Sequence, residues 1–192
     1  MKSLLRPSAL LLALFALPAL AKNEEVVKPL KTVVGSVRYG KDLAALKLFA
    51  LEDQGKLLLG DDWAKGTDAQ RKEFGELFQT LFGKLAFPKV RKNFEHLETI
   101  LYDEPKLEGD KAEVGSTIVI LHPMKKQEIK LKYAMTKDKG SWKVVDVAVL
   151  GDSMLKGIRE DQIAPLYKEG GWDGLLKAMR EKAKELESTK LM

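Results

Sequence analysis

Residues 140–154 read GSWKVVDVAVLGDSM, and what covers this stretch decides the fold. Asp138-Lys139-Gly140 supplies a turn ahead of it. Trp142, Val144, Asp146, Ala148 and Leu150 then fall on one parity, and Val145, Val147 and Val149 on the other. A strand wetted on one side alternates apolar with polar residues, whereas this one is largely apolar on both. Each face therefore calls for a cover, from helices, a second layer or a ligand. Gly151-Asp152-Ser153 breaks the strand and brings N-capping chemistry for a helix starting near Met154.

Upstream, the chain reads as extended back to Leu97. Segments 97–102, 111–121, 128–137 and 141–150 are predicted strands, joined through Glu108-Gly109-Asp110, His122-Pro123 and Asp138-Lys139-Gly140. Connections this short imply an antiparallel meander. Ile129, Leu131, Tyr133 and Met135 share one face of the third strand, with Lys130 and Lys132 on the other. Ahead of the strands lie helices. Pro29 suits the first turn of a helix over 29–39, and a second spans 42–59, weakened by Gly55. A third starts on a Thr67/Gln70 capping box. Its Phe74, Leu77, Phe78, Leu81, Phe82 and Leu85 share one face, apolar enough to close over a sheet or to wall a pocket. Pro88 opens a short continuation to about Phe94. After the sheet, a helix over 155–168 carries Pro165, which frustrates its last turn. Gly170-Gly171 ends it, and a final amphipathic helix begins near Trp172. Helices, a meander, then helices make an α+β fold.

The first 21 residues stand apart. Lys2 and Arg6 precede an apolar run, and Ala19-Leu20-Ala21 fits a small-x-small cleavage site, so residues 1–21 read as a secretory signal peptide and 22–192 as one exported, soluble domain. Without cysteine there is neither a disulfide nor a thiol to acylate. Losing Lys2 and Arg6 lowers the formal charge from +5 to +3. With acids interspersed throughout, that surplus reads as solvated surface and not as the stripe of a nucleic-acid binder.

Familiar catalytic patterns are missing. No GxSxG, HExxH, P-loop or dinucleotide glycine pattern occurs, and His96 and His122 are too far apart in sequence for a usual zinc site. Asp61-Asp62 reads as turn chemistry. Asp146 stands out as an acid in an apolar strand. It is either a partnered structural carboxylate or a catalytic one.

Three blocks resemble the MlaC-type periplasmic phospholipid shuttles, also known as toluene-tolerance or auxiliary ABC-transport proteins. They are LLLGDDWAKGTDAQRKEFGELFQTLFGKL from Leu57, GSWKVVDVAVLGDSM from Gly140 and APLYKEGGWDGLLKAMREK from Ala164. The resemblance implies a curved four-stranded sheet and helices in an NTF2-like cone around an apolar cavity for acyl chains, with the head group at the mouth. It further implies a shuttle that carries phospholipid between an outer-membrane lipid-transfer complex and an inner-membrane ABC transporter bearing an MCE-domain subunit. The expected carrier is a monomer that docks to those complexes through surface lysines. No catalytic residue, cofactor or metal belongs to that reading. Candidate cavity residues are Leu59, Trp63, Phe74, Phe78, Phe82, Ile118, Tyr133, Val145, Val147, Met154 and Ile158. The sequence departs from the family in a short segment before Leu57, which implies a reduced helical lid, and in Asp152, where an apolar residue is usual. Two other readings stay open: an enzyme on the same scaffold using Asp146 and Tyr133 as acid and base, and an adaptor with a fully packed core.

Overall fold

A computed structural model describes residues 17–188. The signal peptide expected over residues 1–21 lies, up to residue 16, outside the described residues. The helical N-terminal part contains α1 (Leu17–Arg38), α2 (Asp42–Leu46), α3 (Leu51–Leu59), a 3₁₀ turn (Gly60–Lys65), α4 (Asp68–Leu85) and α5 (Phe87–Phe94). Local chemistry sets several of these starts. The Thr67 hydroxyl accepts the Gln70 N–H, while the Gln70 side-chain Oε1 accepts the Thr67 N–H at 2.9 Å, completing the capping box of α4. Pro88 falls in the first turn of α5.

Tertiary contact overrides local preference in two places. α1 begins well before Pro29 and holds the proline inside, although proline there removes a helix hydrogen bond. Val26, Leu30 and Val37 lie on one stripe of α1 and are almost fully buried. Packing of that stripe offsets the lost bond. The predicted 42–59 helix breaks at residues 47–50 and not at Gly55. There the Leu48 carbonyl accepts the Val144 N–H (2.8 Å) and the Ala50 N–H reaches the Val144 carbonyl (2.9 Å), so the chain leaves the helix to pair with a sheet edge. Gly55 serves another purpose: a Cβ there would overlap the Trp63 ring.

The sheet is antiparallel, curved and unclosed, in the order β1 (Leu97–Tyr102), β3 (Lys111–His122), β4 (Lys125–Asp138), β5 (Ser141–Val149), β6 (Asp152–Ser153). The short β2 (Lys106–Glu108) continues the line of β1 along β3. β2 and β6 are additions to the four predicted strands. Two of the tight hairpins, β4–β5 and β5–β6, put two successive residues at positive φ, Lys139-Gly140 and Leu150-Gly151. That conformation matches the strand twist.

One irregularity reverses the reading of residues 140–154. Ala134 pairs with Asp146 and Met135 with Val144, leaving Val145 as an extra residue in β5. A one-residue bulge exchanges the faces of every residue beyond it. Trp142 and Val144 therefore pack into the same core as Val147. The strand is apolar on both parities chiefly because its parity changes midway, and not because both faces are equally covered.

After the sheet come α6 (Met154–Ile158), a π-helical turn (Arg159–Ile163) and α7 (Ala164–Ser188), kinked at Gly171 (φ 57°). Pro165 sits in the opening turn of α7, so it follows the widened turn and does not spoil a helix end. Two cores result. One lies between the sheet and α1, α2 and α5. The other joins α3, α4, α6 and α7 around Phe74, Trp63 and Trp172.

Candidate functional site

The first core is not solid. Between the concave sheet and the helices lies a cavity of about 210 Å³. Ile118, Tyr133 and Val147 line it from the sheet, Val33, Val34 and Val37 from α1, and Phe87, Val90 and Phe94 from α5. Phe49, Phe82 and Met154 close it at the sides. Among its lining residues only Asn93 and Tyr133 carry polar side-chain atoms. Phe82, Ala86 and Met154 are shared with a wider groove of about 700 Å³ between α4, α5, the π turn and α7. Lys89, Asp161 and Lys182 are the charged residues lining that groove. Lys182 is also held by Glu185 at 2.9 Å.

The eleven residues nominated from sequence divide among four places. Phe82, Ile118, Tyr133, Val147 and Met154 line the cavity. Phe78 and Ile158 line the groove beside it. Leu59, Trp63 and Phe74 are packed inside the helical core and line neither space. Val145, the bulge residue, faces a separate outer pocket with Asp53, Lys56 and Lys106. The expectation that the α4 phenylalanines together wall one pocket is thus met by Phe82 alone at the cavity, because Phe74 and Phe78 turn toward α7. The walls contributed by α1 and α5 were not nominated. Their signal was present as Val26, Leu30, Val33 and Val37, and as Phe87, Val90 and Phe94, both at helical spacing.

Polar groups near the cavity are few. The Tyr133 oxygen accepts the Ser116 hydroxyl at 3.2 Å. Burial pushes the Tyr133 phenol above its ordinary range, partly countered by that bond. Burial raises the Tyr102 phenol further, and its hydroxyl has no partner among the described residues. Both therefore remain protonated donors at any neutral pH.

Asp146 is a structural acid. It accepts the Ser153 hydroxyl and the Leu155 N–H (3.1 Å), while Ser153 caps α6 by accepting the Lys156 N–H at 3.0 Å. Asp146 pairs with Ala134, one residue from Tyr133, so the two side chains project from opposite faces of the sheet. The proposed acid–base pair is not assembled. Replacing Asp146 by alanine is expected to cost about 1.5–3 kcal/mol, the usual loss for hydrogen bonds to a charged group, seen as a lower urea midpoint. Asp152 is exposed in β6 and away from the cavity. Asp62 bonds Lys65 at 2.6 Å and its carbonyl accepts the Trp172 indole N–H, in keeping with turn chemistry. His96 and His122, distant in sequence, meet with ring centroids 4.9 Å apart, both exposed. Among the described residues no group of three or more potential ligands surrounds a metal position.

An unclosed antiparallel sheet roofed by helices defines an α+β protein with an apolar space between its layers. Residues 42–181 match the family described as MlaC protein, and the chain belongs to that family. The fold is similar to that of the phospholipid-binding protein from Ralstonia solanacearum, solved in complex with a phospholipid. The TM-score is 0.68 at 18% identity, covering 85% of this chain and 97% of that one. No curated protein matches the sequence.

Proposed function

We propose that the protein is an exported phospholipid carrier of the periplasm that holds acyl chains in this cavity. The observation that carries the reading is the void itself. Apolar walls that face unfilled space forfeit the van der Waals contacts a packed core would give them, a loss that makes sense where an apolar ligand fills the space. Membership in the MlaC family and the phospholipid held by the Ralstonia protein support the same cargo.

Size sets a condition on loading. Two chains of about fifteen methylenes lose roughly 20 kcal/mol of unfavourable hydration when covered, at ~0.8 kcal/mol per CH₂. A space of about 210 Å³ is below the ~300–1,000 Å³ of ordinary ligand pockets, so the cargo would also occupy the adjoining groove. Its exit past Lys89 and Lys182 suits an anionic phosphate. No helix among the described residues is long and apolar enough to cross a membrane. In this reading the carrier passes lipid between an outer-membrane complex and an inner-membrane ABC transporter with an MCE-domain subunit, as a monomer.

Native mass spectrometry of the purified mature protein, followed by solvent extraction, tests the proposal. The expected result is an adduct of phospholipid mass that organic solvent releases. Protein that carries no lipid and takes none from anionic vesicles would overturn it.

A further inference from the structure

We infer that the edge of the protein formed by the α1–α2 junction and α5 docks on a bilayer surface rich in anionic phospholipid. Segments 38–47 and 84–94 hold seven basic residues and one acid, a net charge of +6. Residues 22–192 together carry only +3, so everything outside the two segments is net −3. An asymmetry of this kind directs association with surfaces of opposite charge. The fold makes one patch of the two segments. The Arg91 Nε donates to the Val37 carbonyl at 2.9 Å, and its guanidinium pairs with Asp42, the one acid. Leu46 of α2 lies against Gly83 at the end of α4, 3.2 Å from where a Cβ would stand, just ahead of α5. Lys84 is engaged by Glu187. Arg38, Lys41, Lys47, Lys89 and Lys92 are exposed and have no acidic partner among the described residues.

Two large side chains project from the middle of this charge. Tyr39 and Leu43 are 73% and 77% exposed, on either side of Lys41. Apolar groups among unpaired cations match a bilayer, which offers anionic head groups and, just beneath them, acyl chains. Tyrosine in particular settles at that boundary. A protein partner fits less well. Lysine is depleted from protein interfaces, where arginine is preferred, and four of the five unpaired cations are lysines. The patch also borders both apolar spaces: Val37, Phe87 and Val90 line the cavity, and Leu85 and Lys89 line the groove. The inference goes beyond the cargo reading and is tested apart from it.

Flotation of the purified protein with phosphatidylcholine vesicles, with and without phosphatidylglycerol, is the test. Binding is expected only where phosphatidylglycerol is present, and it should fall as salt is raised. Lys41→Gln and Lys92→Gln should each weaken it about fivefold, the contribution of one lysine at an anionic surface. Leu43→Ser should weaken it about tenfold, an effect that charge alone would not produce. Lys106→Gln, which removes a lysine at the outer pocket, should bind as the parent does. Circular dichroism checks that each variant is folded. Absence of binding to the anionic vesicles overturns the inference. So does an equal loss in Lys106→Gln and Lys41→Gln, since net charge alone would then be acting. Salt-dependent binding to polyglutamate by protein that ignores anionic vesicles would give the patch to an acidic protein partner and overturn it as well. Vesicle binding without uptake of lipid would sustain the docking and sink the carrier reading alone.

Discussion

Phe74→Ala is expected to destabilise the fold by about 3–5 kcal/mol, at the upper end for loss of a buried aromatic ring. Phe74 is 1% exposed and sits at the centre of the helical core. It stacks on Phe78 (6.0 Å, 3°) and meets Trp63 and Trp172 edge-on at 5.9 and 6.1 Å. The size of the effect depends on whether neighbours can fall into the gap, and here they cannot. Trp63 lies flush against the backbone of Gly55, and Trp172 against that of Gly66, where any side chain would overlap the ring. Each indole is pinned from behind, and the Trp172 N–H is also tied to the Asp62 carbonyl at 3.2 Å. A domain stabilised by roughly 5–15 kcal/mol would lose about a fifth of its stability or more. Guanidinium unfolding of the lipid-free protein, compared at constant m-value, measures this. A loss below about 1 kcal/mol would show that the helical core collapses freely and that the two glycines do not lock the tryptophans. Phe82→Ala is the informative companion. Phe82 already borders empty space, so less contact is lost there and the smaller penalty should come with an enlarged cavity.

The same contrast shows what was legible in the sequence. Interactions closed within a few residues could be read directly. The Thr67/Gln70 capping box, the turn through Lys139-Gly140 and the Ser153 cap all occur as local chemistry dictates. The bounds of β1 follow the same way. Helical periodicity identified which α4 residues are apolar but not what they face, since a stripe of phenylalanines looks the same against α7 as around a void. Whether Phe74 packs or Phe82 lines depends on where α7 returns, about a hundred residues later. Pro29 misled for a related reason: a local rule places it at a helix start, while the buried stripe of α1 comes from contact with the distant sheet. The least legible feature was the bulge at Val145. A bulge leaves the composition of a strand unchanged and alters only its register against a partner, so an apolar run on both parities looked like a strand covered twice.

That bulge gives the sharpest expected difference in cargo binding. Val147→Asp should reduce bound phospholipid by about a hundredfold, whereas Val145→Asp should load normally. By simple alternation the two positions share a face and would behave alike. In the structure Val147 lies opposite Tyr133 on the cavity wall, while Val145 lines the outer pocket beside Lys56 and Lys106. A carboxylate at 147 has no cation among the cavity-lining residues, so it stays charged only by drawing in water. A wet cavity then gives up part of the gain from covering acyl chains. A penalty of about 3 kcal/mol, modest for a buried charge, already amounts to two powers of ten in affinity. At 145 the new carboxylate stands at a solvated rim lined by both lysines and acids, where its charge stays hydrated and is tolerated. Lipid extracted per mole of protein is the readout, with circular dichroism to confirm that both variants keep their sheet. Val147→Thr, which adds a hydroxyl without charge, should fall between parent and aspartate. Equal lipid loss in the two aspartate variants would mean that the bulge does not divide the strand, and would remove the reason for placing the cargo against Val147 and Tyr133.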